Sequence, residues 1–262
     1  MKHTISSIYF SPTKGTKKIV NQIACELGEV KNEYDITLAS NRTEEINFQD
    51  KDLVVVGVPV YGGRIPLILE DYFNKIKGND TLAVFTVVYG NRDYDDALLE
   101  LRDVFESNGF ICVAAGAFIG EHSYTEKVAG GRPDESDLLE AKSFAASVNE
   151  KIEAFMHDDL EYNRVNIKGG HPYKERKPMP PIAPMTNDKC TKCRLCAENC
   201  PVEAIDFVDF SKIDSSKCIK CCSCIKICPV DAKYFDNELI SKITESLIEN
   251  CSEIRKEPEV FF

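Results

Sequence analysis

The chain has 262 residues, 43% of them hydrophobic and 29% charged, with a formal net charge of −11. No stretch approaches the ~20 apolar residues that span a bilayer, and an acidic body lacks the basic surface that binding to nucleic acid requires, so neither a membrane span nor a nucleic-acid partner is expected. The opening MKHTISSIYFSPT has no apolar signal-like core; the expected location is the reducing cytoplasm, where twelve cysteines argue for metal ligation over disulfides.

Strand-like apolar runs fall at 4–10, 33–38, 52–60, 81–89 and 110–120, with helix-like patterns at 15–28, 66–76, 94–108 and 134–156. Segment 39–51 is too polar to place and reads as a loop. Strands alternating with helices predict an α/β domain over residues 1–157, a doubly wound parallel sheet with helices on both faces. The nearly unbroken apolar runs at 53–60 and 82–88 suit strands buried on both sides. Five strands fit one unit of order 2-1-3-4-5.

The pattern stops after residue 157. Residues 1–161 balance at −12, whereas 162–186 carry five basic side chains and one acidic. KPMPPIAPM at 177–185 favours an extended connector. Residues 158–186 therefore read as a basic, proline-rich linker in solvent, the alternative being that it docks an acidic partner. Residues 187–236 form a second, small domain, and 237–262 a helix and tail that pack back on one domain or the other.

The small domain contains a repeat. CTKCRLCAENCPVEAI (190–205) and CIKCCSCIKICPVDAK (218–233) align without gaps at an offset of 28. Both read C-x2-C-x2-C-x3-C-P, which leaves Cys222 out of register. Three thiolates two residues apart can wrap a loop around three corners of an iron–sulfur cubane, and the fourth, followed by proline, leads away towards a second one. Structural zinc usually takes pairs of cysteines separated by a longer loop. This half resembles the bacterial-type two-cluster ferredoxins, small α+β domains. The resemblance implies one [4Fe–4S] cluster on Cys190, Cys193, Cys196 and Cys228, and another on Cys218, Cys221, Cys224 and Cys200. Cys25, Cys112 and Cys251 stand alone in apolar contexts and read as packed side chains.

In an open parallel sheet, ligands bind beyond the carboxyl ends of the strands. Three loops meet there: SPTKGT (11–16), PVYGGRIP (59–66) and YGNRDYDDAL (89–98). The first offers hydroxyls and helix-start N–H groups to an anion, or is simply a Ser/Thr helix cap; it lacks the Walker A spacing. The other two bring glycines for close approach and aromatic rings to stack, or are tight turns. Together they suit a planar aromatic ligand carrying a phosphate.

Residues 1–157 resemble a flavodoxin, and the whole chain resembles the flavodoxin–ferredoxin fusion proteins of anaerobes. The resemblance implies FMN, with Ser11, Thr13, Lys14, Gly15 and Thr16 on its phosphate. Pro59, Val60, Tyr61, Gly62, Gly63 and Arg64, with Tyr89, Gly90, Asn91, Arg92 and Tyr94, would line the ring. Lys14 stands where flavodoxins usually have glycine. Either it strains a loop that needs φ > 0, or its ammonium meets the phosphate.

The long loop 120–137 reads as a lid or as the contact with the ferredoxin part. Its His122 is either a proton donor or an ordinary surface histidine. The expected function is electron transfer between FMN and two [4Fe–4S] clusters, joining one- and two-electron redox partners. The main alternative is an FMN-dependent reductase of a small acceptor such as a quinone, a nitro compound or oxygen. A docking domain that has lost its flavin is a third reading, and a homodimer an open alternative. No G-x-G-x-x-G follows a strand, so NAD(P)H is not expected as a direct partner.

Overall fold

The computed structural model describes residues 3–156 and 163–262; the expected boundary at 157/158 lies outside them. In chain order the first domain runs β1 (Thr4–Tyr9), α1 (Gly15–Leu27), β2 (Val30–Asp35), β3 (Ile46–Asn47), β4 (Asp52–Pro59), α2 (Glu70–Phe73), β5 (Ile76–Lys77), β6 (Thr81–Tyr89), α3 (Ala97–Ser107), β7 (Phe110–Ile119) and α4 (Glu135–Met156). The second module holds β8 (Met185–Thr186), α5 (Leu195–Glu198), α6 (Ser223–Lys226) and β9 (Lys233–Tyr234). Then follow α7 (Glu238–Cys251) and β10 (Glu259–Phe261). Among the described residues no helix is long and apolar enough to cross a membrane.

The main sheet has the order β10-β7-β6-β4-β1-β2. Its first-domain strands pair in parallel. Successive residues of β4 alternate between two cores. Val54, Val56 and Val58 face the side of α3, and Leu53 and Val55 face α1 and α4. Burial on both faces is why this strand is an apolar run rather than an alternating one.

The sheet has six strands, one more than expected. Glu259–Phe261 adds antiparallel to β7, pairing Glu259 with Ala117 and Phe261 with Ala115. Three residues beside charged neighbours carry too little periodicity to read as a strand. Their effect is to cover the β7 edge, which would otherwise offer unpaired backbone groups. β2 begins three residues before the predicted run because it is the opposite edge, where polar Lys31, Asn32 and Glu33 stay exposed. The predicted helix at 66–76 is a 3₁₀ turn (Leu67–Leu69) followed by the short α2. After it, β5 pairs with β3, which lies inside the stretch read as a loop.

The connector also departs from expectation. Described from residue 163 onward, it lies along the first domain. Val165 and Ile167 are buried in the sheet core. Asp103 accepts from Tyr173 and pairs with His171 and Arg164, and Asp96 accepts from Gly170 N and Lys174 N. The acidic partner of this basic segment is the chain's own first domain. Two apolar residues spaced by one polar residue, VNI, were too short a signal to reveal the docking.

The repeat in the second module is geometrically real. Left-handed residues recur at the same offset: Lys192 and Lys220 (φ 57° and 59°), Arg194 and Cys222 (71° and 62°), Glu203 and Asp231 (51° and 49°). Its own buried core is small: Cys196, Ala197, Ile205 and Phe210.

Candidate functional site

The phosphate-type loop joins β1 to α1. Lys14 is left-handed, with φ 67° and ψ −5°, and precedes the helix without a side-chain cap. Ser11 is buried; its N–H donates to Thr37 Oγ1 and its Oγ accepts from Lys17 N at 2.9 Å. That hydroxyl ties down one orphan helix N–H and keeps its own hydrogen to donate. Among the described residues, the N–H groups of Gly15 and Thr16 and the side chains of Thr13 and Lys14 have no hydrogen-bond partner. Unsatisfied helix-start donors beside an ammonium are a fit for a dianionic phosphate.

The second loop is a two-residue turn. Tyr61 N donates to Arg64 O at 2.9 Å and Arg64 N to Tyr61 O at 3.2 Å, with Gly62 at φ 63° and Gly63 at φ 88°. Two positive φ values require glycine-like residues, and a Cβ on Gly63 would lie 2.1 Å from Asp95 Oδ2. Pro59, Val60 and Tyr61 remain half-buried and Gly62 exposed. Arg64 is committed elsewhere. Its guanidinium makes two hydrogen bonds to Glu100, at 2.7 and 2.6 Å, and donates to Lys174 O on the connector.

The third loop turns most of its side chains away from this edge. Tyr94 is fully buried, with its hydroxyl on Glu259 of β10. Tyr89 is buried beside it, ring centroids 5.5 Å apart. Asn91, left-handed at φ 59°, gives its amide to Cys251 O and Ile254 O. Arg92 pairs with Asp95. The C-terminal tail, which nothing in the sequence pattern linked to this loop, accounts for these orientations. Only the Gly90 backbone stays at the edge, and it is covered by His122: a Cβ there would lie 2.5 Å from His122 Cδ2.

His122 is therefore half-buried rather than exposed. Its Nδ1 accepts from Tyr124 N, and burial, with Lys226 and Arg92 nearby, pushes its pKa down to about 4. The loop carrying it meets the second module. Tyr124 packs edge-on against Phe235 at 5.9 Å, and Glu121 pairs with Lys226. Arg42 donates to Pro201 O at 2.7 Å.

The eight motif cysteines line two separate cavities. One, of about 320 Å³ including space open to solvent, is bounded by Cys190, Cys193, Cys196 and Cys228. The other, of about 360 Å³ on the same measure, is bounded by Cys200, Cys218, Cys221 and Cys224, and Cys222 also lines it. In each the fourth cysteine comes from the other repeat. Ala204 N donates to Cys200 Sγ at 3.3 Å and Ala232 N to Cys228 Sγ at 3.2 Å, the kind of contact that tunes a thiolate ligand. Among the described residues no three such side chains converge on one point as a single ion would need. A cubane makes no such demand, since each thiolate holds a different iron. The donor set fits that group.

The fold and its two sites define a flavin-type α/β domain carrying a module built for iron–sulfur clusters. Residues 7–125 match the Flavodoxin domain family and residues 189–232 the 4Fe-4S dicluster domain family. The chain is a flavodoxin–ferredoxin fusion. Among curated proteins none matches it. Similar solved structures include a flavodoxin from the domain Archaea (13% identity, TM-score 0.40, 57% of this chain and 99% of that one). Another is oxidised flavodoxin 2 from Bacillus cereus (19%, 0.40, 56% and 99%). A third is rubredoxin oxygen:oxidoreductase from Desulfovibrio gigas (15%, 0.41, 59% and 38%). A flavodoxin domain implies FMN, and a 4Fe-4S dicluster domain implies iron–sulfur clusters.

Proposed function

We propose that this protein transfers electrons within the chain between FMN and two [4Fe–4S] clusters, and so joins one-electron to two-electron redox partners. The carrying observation is the pair of four-thiol cavities, one of them beside the loop edge of the flavodoxin sheet. FMN exchanges one or two electrons and a cubane one, so the combination converts between the two modes. The residues supply position. Thr13, Lys14, Gly15 and Thr16, with the Ser11 hydroxyl, hold the phosphate. Pro59 to Gly62 and the Gly90 backbone shape the ring edge. His122 keeps water from Gly90 and, neutral at pH 7, adds no charge there. Arg64, Tyr89, Asn91 and Tyr94 act by holding the loops in place.

The small-acceptor reading rests on the long loop 120–137 and its His122. Residues 121–124 lie under the second module, which favours internal transfer.

Anaerobic purification followed by absorption spectroscopy, with flavin released by acid and iron assayed, tests the proposal. Stoichiometric FMN and about eight irons per chain are the expected result. Iron–sulfur absorption with no flavin, even after FMN is added, would reduce the protein to a ferredoxin with a docking domain.

A further inference from the structure

The two cysteine repeats are nearly equivalent in backbone, so each serves as a control for the other. What differs is their outward face. In the first repeat Thr191, Arg194 and Glu198 are exposed, and Cys193 with them. The residues 28 positions later are Ile219, Cys222 and Lys226. Ile219 packs on the first-domain core, as Tyr61 does. Cys222 is 2% exposed. Lys226 pairs with Glu121. Tyr61 and Tyr124, both half-buried, lie near Cys221 and Cys222.

We infer that the site of Cys200, Cys218, Cys221 and Cys224 is the flavin-side end of the relay, and that the site of Cys190, Cys193, Cys196 and Cys228 is its outer, more exposed end. This rests on the electron-transfer reading above. Cys222 then has a role without being a ligand. At its left-handed position the first repeat carries an exposed arginine, φ 71°; the second needs a small apolar side chain there to let the domains meet. Each transfer moves a single electron: the flavin is oxidised by one and the receiving cluster reduced by one. Two transfers, with two protons released to solvent, empty a fully reduced flavin.

The test copies the first repeat into the second. Cys222→Arg keeps a residue type that the equivalent backbone already accepts, so both clusters should assemble; Cys222→Ala is the control. Flash photoreduction of the flavin in the holoprotein, followed at cluster wavelengths, gives the internal rate. Amide exchange at 59–62 and 120–124 reports whether the domains touch. The expected result for Cys222→Arg is full iron and FMN content, faster exchange in both segments, and an internal rate slowed by about tenfold or more because contact sets proximity. Cys222→Ala should behave as the unmodified protein. An unchanged rate in Cys222→Arg despite faster exchange would overturn the assignment. Should Cys222→Arg lose iron, the charge pair decides: Glu121→Lys and Lys226→Glu singly should slow transfer and together restore it, and absence of restoration counts against the inference. No flavin-to-cluster transfer in the unmodified protein would instead defeat the electron-transfer reading itself.

Discussion

A non-glycine residue in the left-handed region is strained by about 1 kcal/mol, and Lys14 sits there at φ 67° on the phosphate loop. Lys14→Gly should therefore stabilise the flavin-free protein by about 1 kcal/mol. Loss of the ammonium should weaken FMN binding by about fivefold, equivalent to 1 kcal/mol. Denaturant unfolding and flavin fluorescence titration measure the two effects. A variant that binds FMN as tightly as before would show that Lys14 makes no contact with the phosphate. His122 gives a pH signature. Its pKa is pushed down by burial from the ordinary 6.5 to about 4, so the unfolded chain holds more protons between those values. Stability is full above pH 6.5 and falls as pH drops towards 4. At pH 5 the loss is about 2 kcal/mol. His122→Gln should flatten that part of the stability profile relative to the unmodified protein, and an identical profile would place the imidazole in solvent.

Among the elements, α3 organises the flavin edge from behind. Glu100 is buried on it between Arg64 of the second loop and Arg176 of the connector, and also accepts from Ile65 N. Removing one partner of a buried ion network leaves uncompensated charge, at about 3–5 kcal/mol. Glu100→Ala should destabilise by that order in denaturant unfolding and speed amide exchange over 163–176, which depends on the same anchor. Glu259→Ala tests the sixth strand: the buried Tyr94 hydroxyl loses its acceptor, costing about 1–3 kcal/mol, and Tyr94→Phe in the same chain should recover much of it. The contrast with what the sequence revealed has a physical cause. β4, β6 and α1 carry long apolar or periodic patterns because tertiary burial covers most of their length, so they were readable. β3, β5 and β10 have two or three residues each and exist because of their neighbours. The grouping of the eight motif cysteines around two cavities was readable because their spacing repeats at an offset of 28. Tyr89 and Tyr94 face the core instead of the ring edge, because residue type does not show which way a side chain faces when a distant tail supplies its partner.

At the scale of the whole molecule the two domains are held up differently. The first has core on both faces of its sheet, sealed by the connector and tail. The second has seven buried apolar residues, most of them small, with four in one cluster, too few to offset the ordering of about 50 residues. Its stability must come largely from metal ligation, since binding energy at such sites is folding energy. Removing iron anaerobically with a chelator should therefore unfold residues 187–236 alone. Amide exchange there should become fast, while β1, β4, β6 and β7 keep their protection. Residues 120–124, which lean on Phe235 and Lys226, should lose protection with the second module although they belong to the first. Connector residues 163–176 should not, because their partners are Asp96, just before α3, and Glu100 and Asp103 on it. Persistent protection across 187–236 after the iron is gone would mean that packing against the flavodoxin domain, and not the clusters, holds the module together. Otherwise the clusters order the module, and the ordered module presents Ile219 and Cys222 to the first domain beside Tyr61.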